Sequence, residues 1–402
     1  MTTTAGPHAA DKEVFPAAAA LADALREQGH LRDPRWLQAV AAVPRHLFAP
    51  AQAWAQPAGG QPHAIDRAAD PAGWMRQVYA PATPVIIQLD DGQTPVASGD
   101  GVPTSSLSEP AIAAGFLELL AVRDGNTVLE IGTGSGWTAG LLSHRLGEQR
   151  VTTIEVDAQV AAQAQHSLQT AGYHPAVITG DGALGWPTGA PYDRVHVTCG
   201  ITHIPYAWVR QCRPGAVIVL PWLPNGYAGH QLRLHVDSAG RATGRFHGGC
   251  GYMMMRSQRS RWHAHHADAA RTRDGALDPR ELAYGDPGLH LLLAALQPGV
   301  TQMAIDDADG SFSLLLFENR GDNGSWAAAD YLPGTGQVHI TQYGARSLWD
   351  EAEAAFDDWA ERGMPDRGRF GLTVDDSGSH LWCDTPQQTI PPMPDPQNNG
   401  GV

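Results

Sequence analysis

Three glycines at alternate positions and one carboxylate further along the chain have the types and spacing that a nucleoside-binding site needs. Gly132, Gly134 and Gly136 follow the apolar run Val128–Ile131, which is typical of a buried parallel strand. Glycine lets the backbone turn tightly and come close to a ligand. Glu155 lies 19 residues after Gly136, at the end of a second apolar strand, where a carboxylate accepts hydrogen bonds from ribose hydroxyls. The pattern predicts a strand, a turn, a helix and a strand around a nucleoside.

The residue after the third glycine indicates which class of cofactor the motif binds. A dinucleotide fingerprint reads G-x-G-x-x-G with a glycine beside the pyrophosphate, and Trp137 stands at that position. A bulky indole disfavours a pyrophosphate and therefore an NAD-dependent oxidoreductase. Counted from Glu130, the order E-x-G-x-G-x-G instead resembles class I S-adenosylmethionine-dependent methyltransferases, which implies S-adenosylmethionine as the cofactor. The alternative is that the glycines serve only a tight turn.

The elements that must position these residues follow an α/β pattern up to residue 236. Apolar runs predict strands at residues 127–131, 151–156, 176–179, 194–198, 216–220 and 231–236. Two short amphipathic helices precede them, with Asp33 as a candidate N-cap, and residues 49–73 are expected to be irregular. Further on, the sequence predicts three hairpins and one helix, at residues 302–319, 326–343, 370–382 and 348–359 respectively.

The fold class expected is α/β, a class I (Rossmann-like) methyltransferase sheet with N-terminal helices and a C-terminal α+β extension. Four regions are predicted along the chain. They are an N-terminal helical segment packing on the catalytic domain (1–77), the methyltransferase domain (78–236), an extension for substrate recognition (237–384) and a disordered tail rich in Pro, Asn and Gly (385–402).

Composition limits the partners and the compartment. The chain has 402 residues, of which 43% are hydrophobic, so it can bury a large core. Its formal net charge of -15 disfavours phosphate backbones, and we expect no nucleic acid as partner. It has neither a secretory leader nor a run of about 18 apolar residues, which predicts a cytoplasmic protein without a membrane partner. Four cysteines without C-x-x-C spacing indicate reduced thiols and no metal site.

Four further motifs narrow the type of methyltransferase. They are Val43–Pro50, which reads V-P-R-H-L-F-A-P, then Leu107–Pro110, Gly180–Pro187 and Ala190–Arg194. Together, and in this order around the glycine motif, they resemble protein-L-isoaspartate O-methyltransferases over about residues 15–236. The resemblance implies that Ser108 lies by the substrate carboxylate and that Glu155 and Asp181 contact the ribose and adenine of the cofactor.

The predicted site follows from these motifs. Ser108 is the candidate catalytic residue. The predicted cofactor-binding residues are Glu130, Gly132, Thr133, Gly134, Gly136, Glu155, Val156, Asp181 and Gly182. The predicted substrate-binding residues are Ser106, Leu107, Glu109, Thr198 and Cys199.

Several of these residues also have a purely structural interpretation. Ser108 has the position of a helix N-cap, and Asp181 that of an Asx-turn between two glycines. Glu130 holds the glycine loop or contacts the methionine end of the cofactor; the sequence leaves both open. Glu109 departs from the uncharged residue usual at its position in the repair enzymes, and its carboxylate repels a substrate carboxylate. Substrate geometry is therefore expected to differ.

The size of the chain favours a specialised substrate. The extension, together with segments such as Asp90–Gly92 and Thr104–Ser106, resembles actinobacterial members that act in ribosomal peptide (lanthipeptide, graspetide or lasso peptide) biosynthesis. This implies methylation of an aspartate in a modified peptide, followed by aspartimide and in turn isoaspartate formation. The alternatives are repair of isoaspartyl proteins and a non-catalytic module that keeps the cofactor fold. A basic island is read as a solvated segment or a peptide contact; it contains Arg256, Arg259, Arg261, His263, His265, His266, Arg271 and Arg273.

Overall fold

The computed structural model describes residues 16–224, 229–259, 270–319, 324–334 and 336–393. Four members of the basic island, namely Arg261, His263, His265 and His266, lie outside these residues. The chain divides into two compact units. The first contains Met1–Thr198 and Gln211–Val217, and the second contains Cys199–Arg210 and Ile218–Val402.

The first unit begins with the two predicted helices, α1 (Pro16–Glu27) and α2 (Pro34–Ala42). Asp33 caps α2 as expected, because its carboxylate accepts a hydrogen bond from the backbone N–H of Arg35 at 2.8 Å and a proline follows at the first helical position. Leu21 and Trp36 are buried on the apolar faces of the two helices. The prediction of two amphipathic helices is confirmed.

A small antiparallel sheet follows. Its elements are β1 (Gln52–Ala55), β2 (His63–Asp66), the helix α3 (Pro71–Val78), β3 (Val85–Leu89) and β4 (Pro103–Leu107). The strand order is β2-β1-β3-β4. Residues 49–73 are therefore not irregular as predicted, because Ala53 and Ala55 alternate into the core of this sheet. Alanine is a weak strand former, so the segment carries little local signal.

The parallel part of the first unit positions the glycine motif. It consists of α4 (Pro110–Leu120), β5 (Val128–Ile131), α5 (Trp137–Leu146), β6 (Val151–Glu155), α6 (Ala158–Thr170), β7 (Ala176–Thr179) and β8 (Tyr192–Val197). β5 lies between β6 and β8, and β7 pairs with β6, all in parallel. The carboxyl ends of neighbouring strands meet at one edge, where open α/β sheets bind ligands. The predicted α/β class is confirmed.

The second unit contains the remaining elements. They are α7 (Tyr206–Arg210), β9 (Cys212–Trp222), whose residues 212–217 belong to the first unit, β10 (Gly229–Val236), β11 (Ala242–Cys250), β12 (Arg271–Gly275), α8 (Pro279–Tyr284), α9 (Pro287–Leu296), β13 (Val300–Asp306), β14 (Phe312–Glu318), β15 (Trp326–Leu332), β16 (Gln337–Tyr343), α10 (Leu348–Glu361), β17 (Phe370–Asp375) and β18 (Gly378–Cys383). One sheet has the order β12-β16-β15-β14-β13, and β9, β10, β11, β17 and β18 are consecutive neighbours in another.

The three predicted hairpins are β13–β14, β15–β16 and β17–β18, and the predicted helix between them is α10. Two predictions for this part of the chain need correction. The boundary expected at residue 236 falls inside the antiparallel hairpin β10–β11. The tail expected to be disordered from residue 385 is ordered as far as residue 393, because Ile390 is buried and its backbone N–H donates to the carbonyl of Leu381 at 2.9 Å. Residues 394–402 lie outside the described residues. Within the described ranges, no helix is long and apolar enough to cross a membrane.

Candidate active site

The glycine loop closes the carboxyl end of β5 and is tied to β6. The backbone N–H groups of Gly132 and Thr133 donate to the carbonyl of Ile154 at 2.8 and 3.1 Å. Gly132, Gly134 and Gly136 all have positive φ, at 93°, 53° and 90°. Residues other than glycine rarely adopt this backbone conformation, so the path of the backbone requires the alternate glycines.

Glu155 is the carboxylate next to this loop. Its Oε2 accepts a hydrogen bond from the backbone N–H of Gly134 at 2.9 Å, and its Oε1 accepts one from Asp157 at 3.1 Å. Burial raises the pKa of the Glu155 carboxyl, and the Gly134 N–H opposes that shift. Because a carboxylate offers about four lone-pair sites, each oxygen can still accept from a ligand. Glu155 therefore fits the ribose-binding role predicted for it.

The turn after β7 lies beside Glu155, since the N–H of Gly180 donates to the Glu155 carbonyl at 2.9 Å. Asp181 in this turn is exposed, and its Oδ1 accepts from the N–H of Ala183 at 2.9 Å. The Asx-turn interpretation of Asp181 is thus correct, and it uses one of the two carboxylate oxygens. Gly182 is buried, with Ile131 2.7 Å from where a Cβ would stand. A side chain at 182 is excluded by packing.

Val156 follows Glu155 at the carboxyl end of β6 and leaves 44% of its surface exposed. This exposed apolar side chain lies next to Glu155, the predicted ribose ligand. It has the chemistry expected of a wall against an adenine ring. Glu155, Val156 and Asp181 thus fit the nucleoside half of S-adenosylmethionine. Their contact with a cofactor stays a prediction.

Glu130 is not placed to contact a ligand, which corrects its predicted role as a cofactor-binding residue. Its side chain is fully buried, and its Oε2 accepts a hydrogen bond from the Thr153 hydroxyl at 2.7 Å. The Thr153 hydroxyl lies 2.7 Å from that of Thr133 in the glycine loop. On the other side, Glu130 Oε1 is 3.5 Å from Nδ1 of the buried His196. Of the two roles left open by the sequence, the structure shows that of holding the loop.

Gly136 and the side chain of Thr133 also support the loop from its buried side. A Cβ at Gly136 would stand 3.3 Å from Ala164 of α6, so this glycine serves helix packing rather than the predicted ligand contact. The side chain of Thr133 is buried and bonded to Thr153, which leaves only its backbone to contact a ligand. The half-exposed glycines of the loop are Gly132 and Gly134.

Ser108 precedes α4 without capping it. The N-cap position belongs to Glu109 and the first helical position to Pro110, so the interpretation of Ser108 as an N-cap is wrong. Ser108 is half-buried and its carbonyl accepts a hydrogen bond from Nη2 of Arg45 at 2.7 Å. Glu109 is also half-buried. Burial raises the pKa of its carboxyl, and the charges of His30 and Arg45 act in the opposite direction.

Arg45 lies beside the candidate site and makes contacts that the sequence did not reveal. Its side chain is fully buried, and its Nε donates to the carbonyl of Val78 at 2.7 Å. Nη2 donates to Ser108 and, more weakly, to Leu107 at 3.4 Å, and the guanidinium lies over the ring of Trp137. Burial lowers its pKa to about 9, so it stays charged at neutral pH. A lone arginine between the apolar residues of V-P-R-H-L-F was the available signal.

The end of β4 faces the glycine loop. A Cβ on Gly134 would stand 3.5 Å from the carbonyl oxygen of Ser106 and 3.9 Å from Oγ of Ser105. The candidate substrate segment and the cofactor loop are therefore in near contact, and a substrate contact of Ser106 stays a prediction. The side chain of Leu107 is only 1% exposed and belongs to the core, so it is not placed to contact a substrate as predicted.

The last two predicted residues follow β8. The hydroxyl of Thr198 donates to the carbonyls of Ile131 and Gly132, which brings it to the glycine loop. Cys199 is the first residue of the second unit; its thiol is not part of a disulfide and is half-buried. A substrate contact of either residue remains a prediction.

Comparison with known proteins agrees with this geometry. The profile of the family described as protein-L-isoaspartate(D-aspartate) O-methyltransferase (PCMT) matches residues 75–256. The protein-L-isoaspartate O-methyltransferase of Methanosarcina mazei is 30% identical over 216 residues, which are 53% of this chain and 73% of that protein. The enzyme of the same name from Methanopyrus kandleri is 30% identical over 251 residues, which are 61% of this chain and 95% of its own length.

This chain belongs to the protein-L-isoaspartate O-methyltransferase family. It is therefore a carboxyl methyltransferase of the S-adenosylmethionine-dependent class. A solved structure of a protein-L-isoaspartate O-methyltransferase shares the fold at a TM-score of 0.52 and 20% identity, over 91% of this chain and 99% of that one. Most residues beyond 236 thus have a counterpart in a family member of that name.

Proposed function

We propose that this protein transfers a methyl group from S-adenosylmethionine to the free carboxylate of an isoaspartyl residue in a peptide or protein. The observation that carries the proposal is the near contact between the end of β4 and the glycine loop, where Ser106 approaches Gly134. In this family the serine at the position of Ser108 lies by the substrate carboxylate. The relatives support this activity better than the peptide-biosynthetic function that the sequence favoured.

The cofactor supplies a methyl group on a positively charged sulfur. Glu155 has lone pairs left on both carboxylate oxygens to accept from the ribose hydroxyls. The half-exposed Gly132 and Gly134 allow the backbone to come close to the ligand, and Val156 and Asp181 border the place of the base. The network of Glu130 beneath the loop keeps these groups in position.

The acceptor needs orientation rather than activation. A carboxylate with an ordinary pKa of about 3.9 is ionised at neutral pH, so the reaction requires no general base. Holding the two reactants in line accounts for much of the rate in such a displacement. Arg45 fixes the backbone of Ser108, and the Ser108 hydroxyl is then available to donate a hydrogen bond to one oxygen of the acceptor while the other oxygen attacks.

Mass spectrometry of matched peptides tests the proposal. Two peptides of identical sequence, one with isoaspartate and one with aspartate, are incubated with S-adenosylmethionine and the full chain. The isoaspartyl peptide is expected to gain the mass of one methyl ester, and the aspartyl peptide to remain unchanged. The Glu155→Gln variant, which keeps the shape of the side chain, serves as the control and is expected to be much slower at low cofactor concentration. Absence of methylation in both peptides would contradict the proposal.

A second candidate is methylation of an ordinary aspartate in a ribosomally synthesised, modified peptide. One local feature favours it. Asp90 and Asp91 both have positive φ, which is uncommon outside glycine, and the N–H of Asp91 donates to the Thr104 hydroxyl at 3.1 Å. The two segments that resemble the biosynthetic enzymes thus meet at β4, whose end carries the candidate substrate segment. Methylation of a constrained aspartyl peptide, followed by loss of methanol, together with inactivity on the isoaspartyl peptide, would favour this candidate.

A further inference from the structure

Gln88 is a buried polar residue in an otherwise apolar strand. Its neighbours Val85, Ile86 and Leu89 in β3 belong to the core, and Gln88 itself is only 8% exposed. The pairing of β3 with β4 shifts register on both sides of Gln88. Register shifts of this kind mark β-bulges, which are over-represented next to active sites because they re-aim a side chain. The position of Gln88 therefore calls for an account of where its amide points.

The amide oxygen of Gln88 is attached to β4. Its Oε1 accepts a hydrogen bond from the Thr104 hydroxyl at 3.0 Å. In the pairing of the two strands Gln88 lies opposite Ser105, whose Oγ is 3.9 Å from where a Cβ on Gly134 would stand. Gln88 thus holds the strand that ends in the candidate substrate segment, at the residue where this strand approaches the glycine loop.

The amide nitrogen of Gln88 is attached to the cofactor side. Its Nε2 donates to Oδ2 of Asp157 at 3.3 Å. The other oxygen of Asp157, Oδ1, accepts from the N–H groups of Gln159 and Val160 and so caps α6. The backbone N–H of Asp157 donates to Oε1 of Glu155 at 3.1 Å. Two hydrogen bonds therefore form a bridge from the Gln88 amide to the carboxylate expected to bind the ribose.

The loop that follows β3 lies close to this bridge. A Cβ on Gly92 would stand 3.4 Å from Nε2 of Gln88 and 3.9 Å from Oε1 of Gln159. The N–H of Asp91 donates to the Thr104 hydroxyl at 3.1 Å, which ties the loop to β4. All of these residues belong to the first unit. The loop, the end of β4 and the start of α6 thus converge on one buried amide.

We propose that Gln88 is a positioning residue for methyl transfer, whose amide fixes the end of β4 relative to the loop that carries Glu155. One end of the amide holds the acceptor side of the site and the other end holds the cofactor side. The rate of an in-line displacement depends steeply on such a separation, since a misplacement of about 1 Å can cost about 100-fold. This inference deepens the proposed function and rests on it for the reaction.

An exchange of hydrogen-bond donor and acceptor tests the bridge. In Gln88→Glu a second carboxylate faces Asp157, and the repulsion should displace the N–H that Glu155 accepts. The double variant Gln88→Glu/Asp157→Asn restores one amide and one carboxylate with their places exchanged, and asparagine caps a helix as well as aspartate does. A mere loss of packing at position 88 would not be repaired by the second substitution.

Two measurements are made on each protein. They are the affinity for S-adenosylhomocysteine, by calorimetry, and kcat on an isoaspartyl peptide at saturating S-adenosylmethionine and peptide. Both are expected to fall at least about tenfold in Gln88→Glu, because a hydrogen bond to a charged group is replaced by repulsion. Both are expected to return to within about threefold of the wild type in the double variant.

Gln52→Glu is the matched control. Nε2 of Gln52 also donates to an aspartate, Asp66, at 2.8 Å, but in the β1–β2 pair of the same small sheet. This variant should change neither the affinity nor kcat. Circular dichroism establishes that each variant is folded. If Gln88→Glu is not folded, Gln88→Leu decides the question, since it removes the amide without adding a charge and should lower kcat at least about tenfold.

Three results would overturn the proposal. They are wild-type affinity and kcat in folded Gln88→Glu, no recovery of either quantity in the folded double variant, and normal kcat in folded Gln88→Leu. Binding separates this inference from the proposed function. If the wild type transfers no methyl group to the isoaspartyl peptide, the proposed function fails, while the loss and recovery of S-adenosylhomocysteine affinity still decide whether the bridge holds the cofactor side. If methyl transfer is normal and Gln88→Glu behaves as the wild type, only the role of Gln88 fails.

Discussion

The guanidinium carbon of Arg45 lies 4.4 Å from the centroid of the Trp137 ring. Trp137 begins α5 directly after the glycine loop, and Arg45 also bonds to the carbonyl of Ser108. One buried side chain thus joins the start of the cofactor helix to the candidate catalytic residue. We expect the distance between cofactor and acceptor to depend on this connection.

Replacement of Arg45 is expected to separate the two halves of the site. In Arg45→Met the carbonyls of Val78 and Ser108 lose a buried donor, and stability should fall by about 1–3 kcal/mol for each unsatisfied group. Arg45→Lys keeps the charge but cannot form the same fork of hydrogen bonds, so partial rescue is expected. Both variants should lower kcat more than they weaken cofactor binding, measured by calorimetry. An unchanged kcat in folded Arg45→Met would contradict the positioning role.

Glu155→Gln tests the cofactor site. The amide keeps the shape but loses the charge on the group expected to pair with the ribose hydroxyls, and charge-assisted hydrogen bonds contribute about 1.5–3 kcal/mol each. Affinity for S-adenosylmethionine should therefore fall at least about tenfold in calorimetry. Glu27→Gln, which removes the charge of an exposed glutamate at the end of α1, is the control. Wild-type affinity in Glu155→Gln would remove this residue from the site.

Cofactor affinity should depend on pH through the same residue. Burial raises the pKa of Glu155 above the ordinary value of 4.5, so the folded protein favours the protonated form of this carboxyl. The contribution of Glu155 to folding stability is therefore present below pH 4.5 and is lost as pH rises through the raised pKa. Cofactor binding needs the carboxylate and should weaken as pH falls through that same raised value. In Glu155→Gln both trends should flatten, which titration calorimetry and urea unfolding across the acidic range can check.

Ser108→Ala separates orientation of the acceptor from helix capping. Ser108 does not occupy the N-cap of α4, so the loss of about 1 kcal/mol typical of a removed cap is not expected. Methyl transfer should be lost while cofactor binding is retained. Asp33→Ala is the matched control, since Asp33 does cap α2. Its replacement should lower stability by that amount without a change in kcat. Normal turnover in Ser108→Ala would exclude a role in the reaction.

Thr153→Val tests the support beneath the glycine loop. Valine has nearly the shape of threonine but leaves Glu130 without its hydroxyl donor in a buried position. Unfolding in urea should show a loss of about 1–3 kcal/mol, and cofactor binding should weaken because the Thr133 hydroxyl loses its hydrogen-bond partner beneath the loop. If Thr153→Val leaves the stability unchanged and Glu130→Gln weakens cofactor binding, a direct contact of Glu130 with the ligand would be favoured instead.

Local patterns in the sequence were sufficient for the α/β class, the positions of the parallel strands β5 to β8 and the choice of cofactor motif. The alternate glycines and Glu155 lie within one strand-turn-helix-strand segment, where short-range periodicity and steric limits on φ determine the conformation. The same holds for the cap at Asp33 and for the hairpins after residue 300, whose turns are short. Each of these features depends on residues that are near each other in the chain.

Tertiary structure alone decided which of the predicted residues are exposed at the candidate site and which are buried beneath it. Glu130 and Gly136 belong to the glycine motif, yet burial between β6 and β8 and packing on α6 turn them into supports. Arg45 acquires its role from Ser108, 63 residues away, and from Trp137. Such roles arise from packing between elements distant in sequence, and the periodicity of one strand or helix carries no information about which neighbour will cover it.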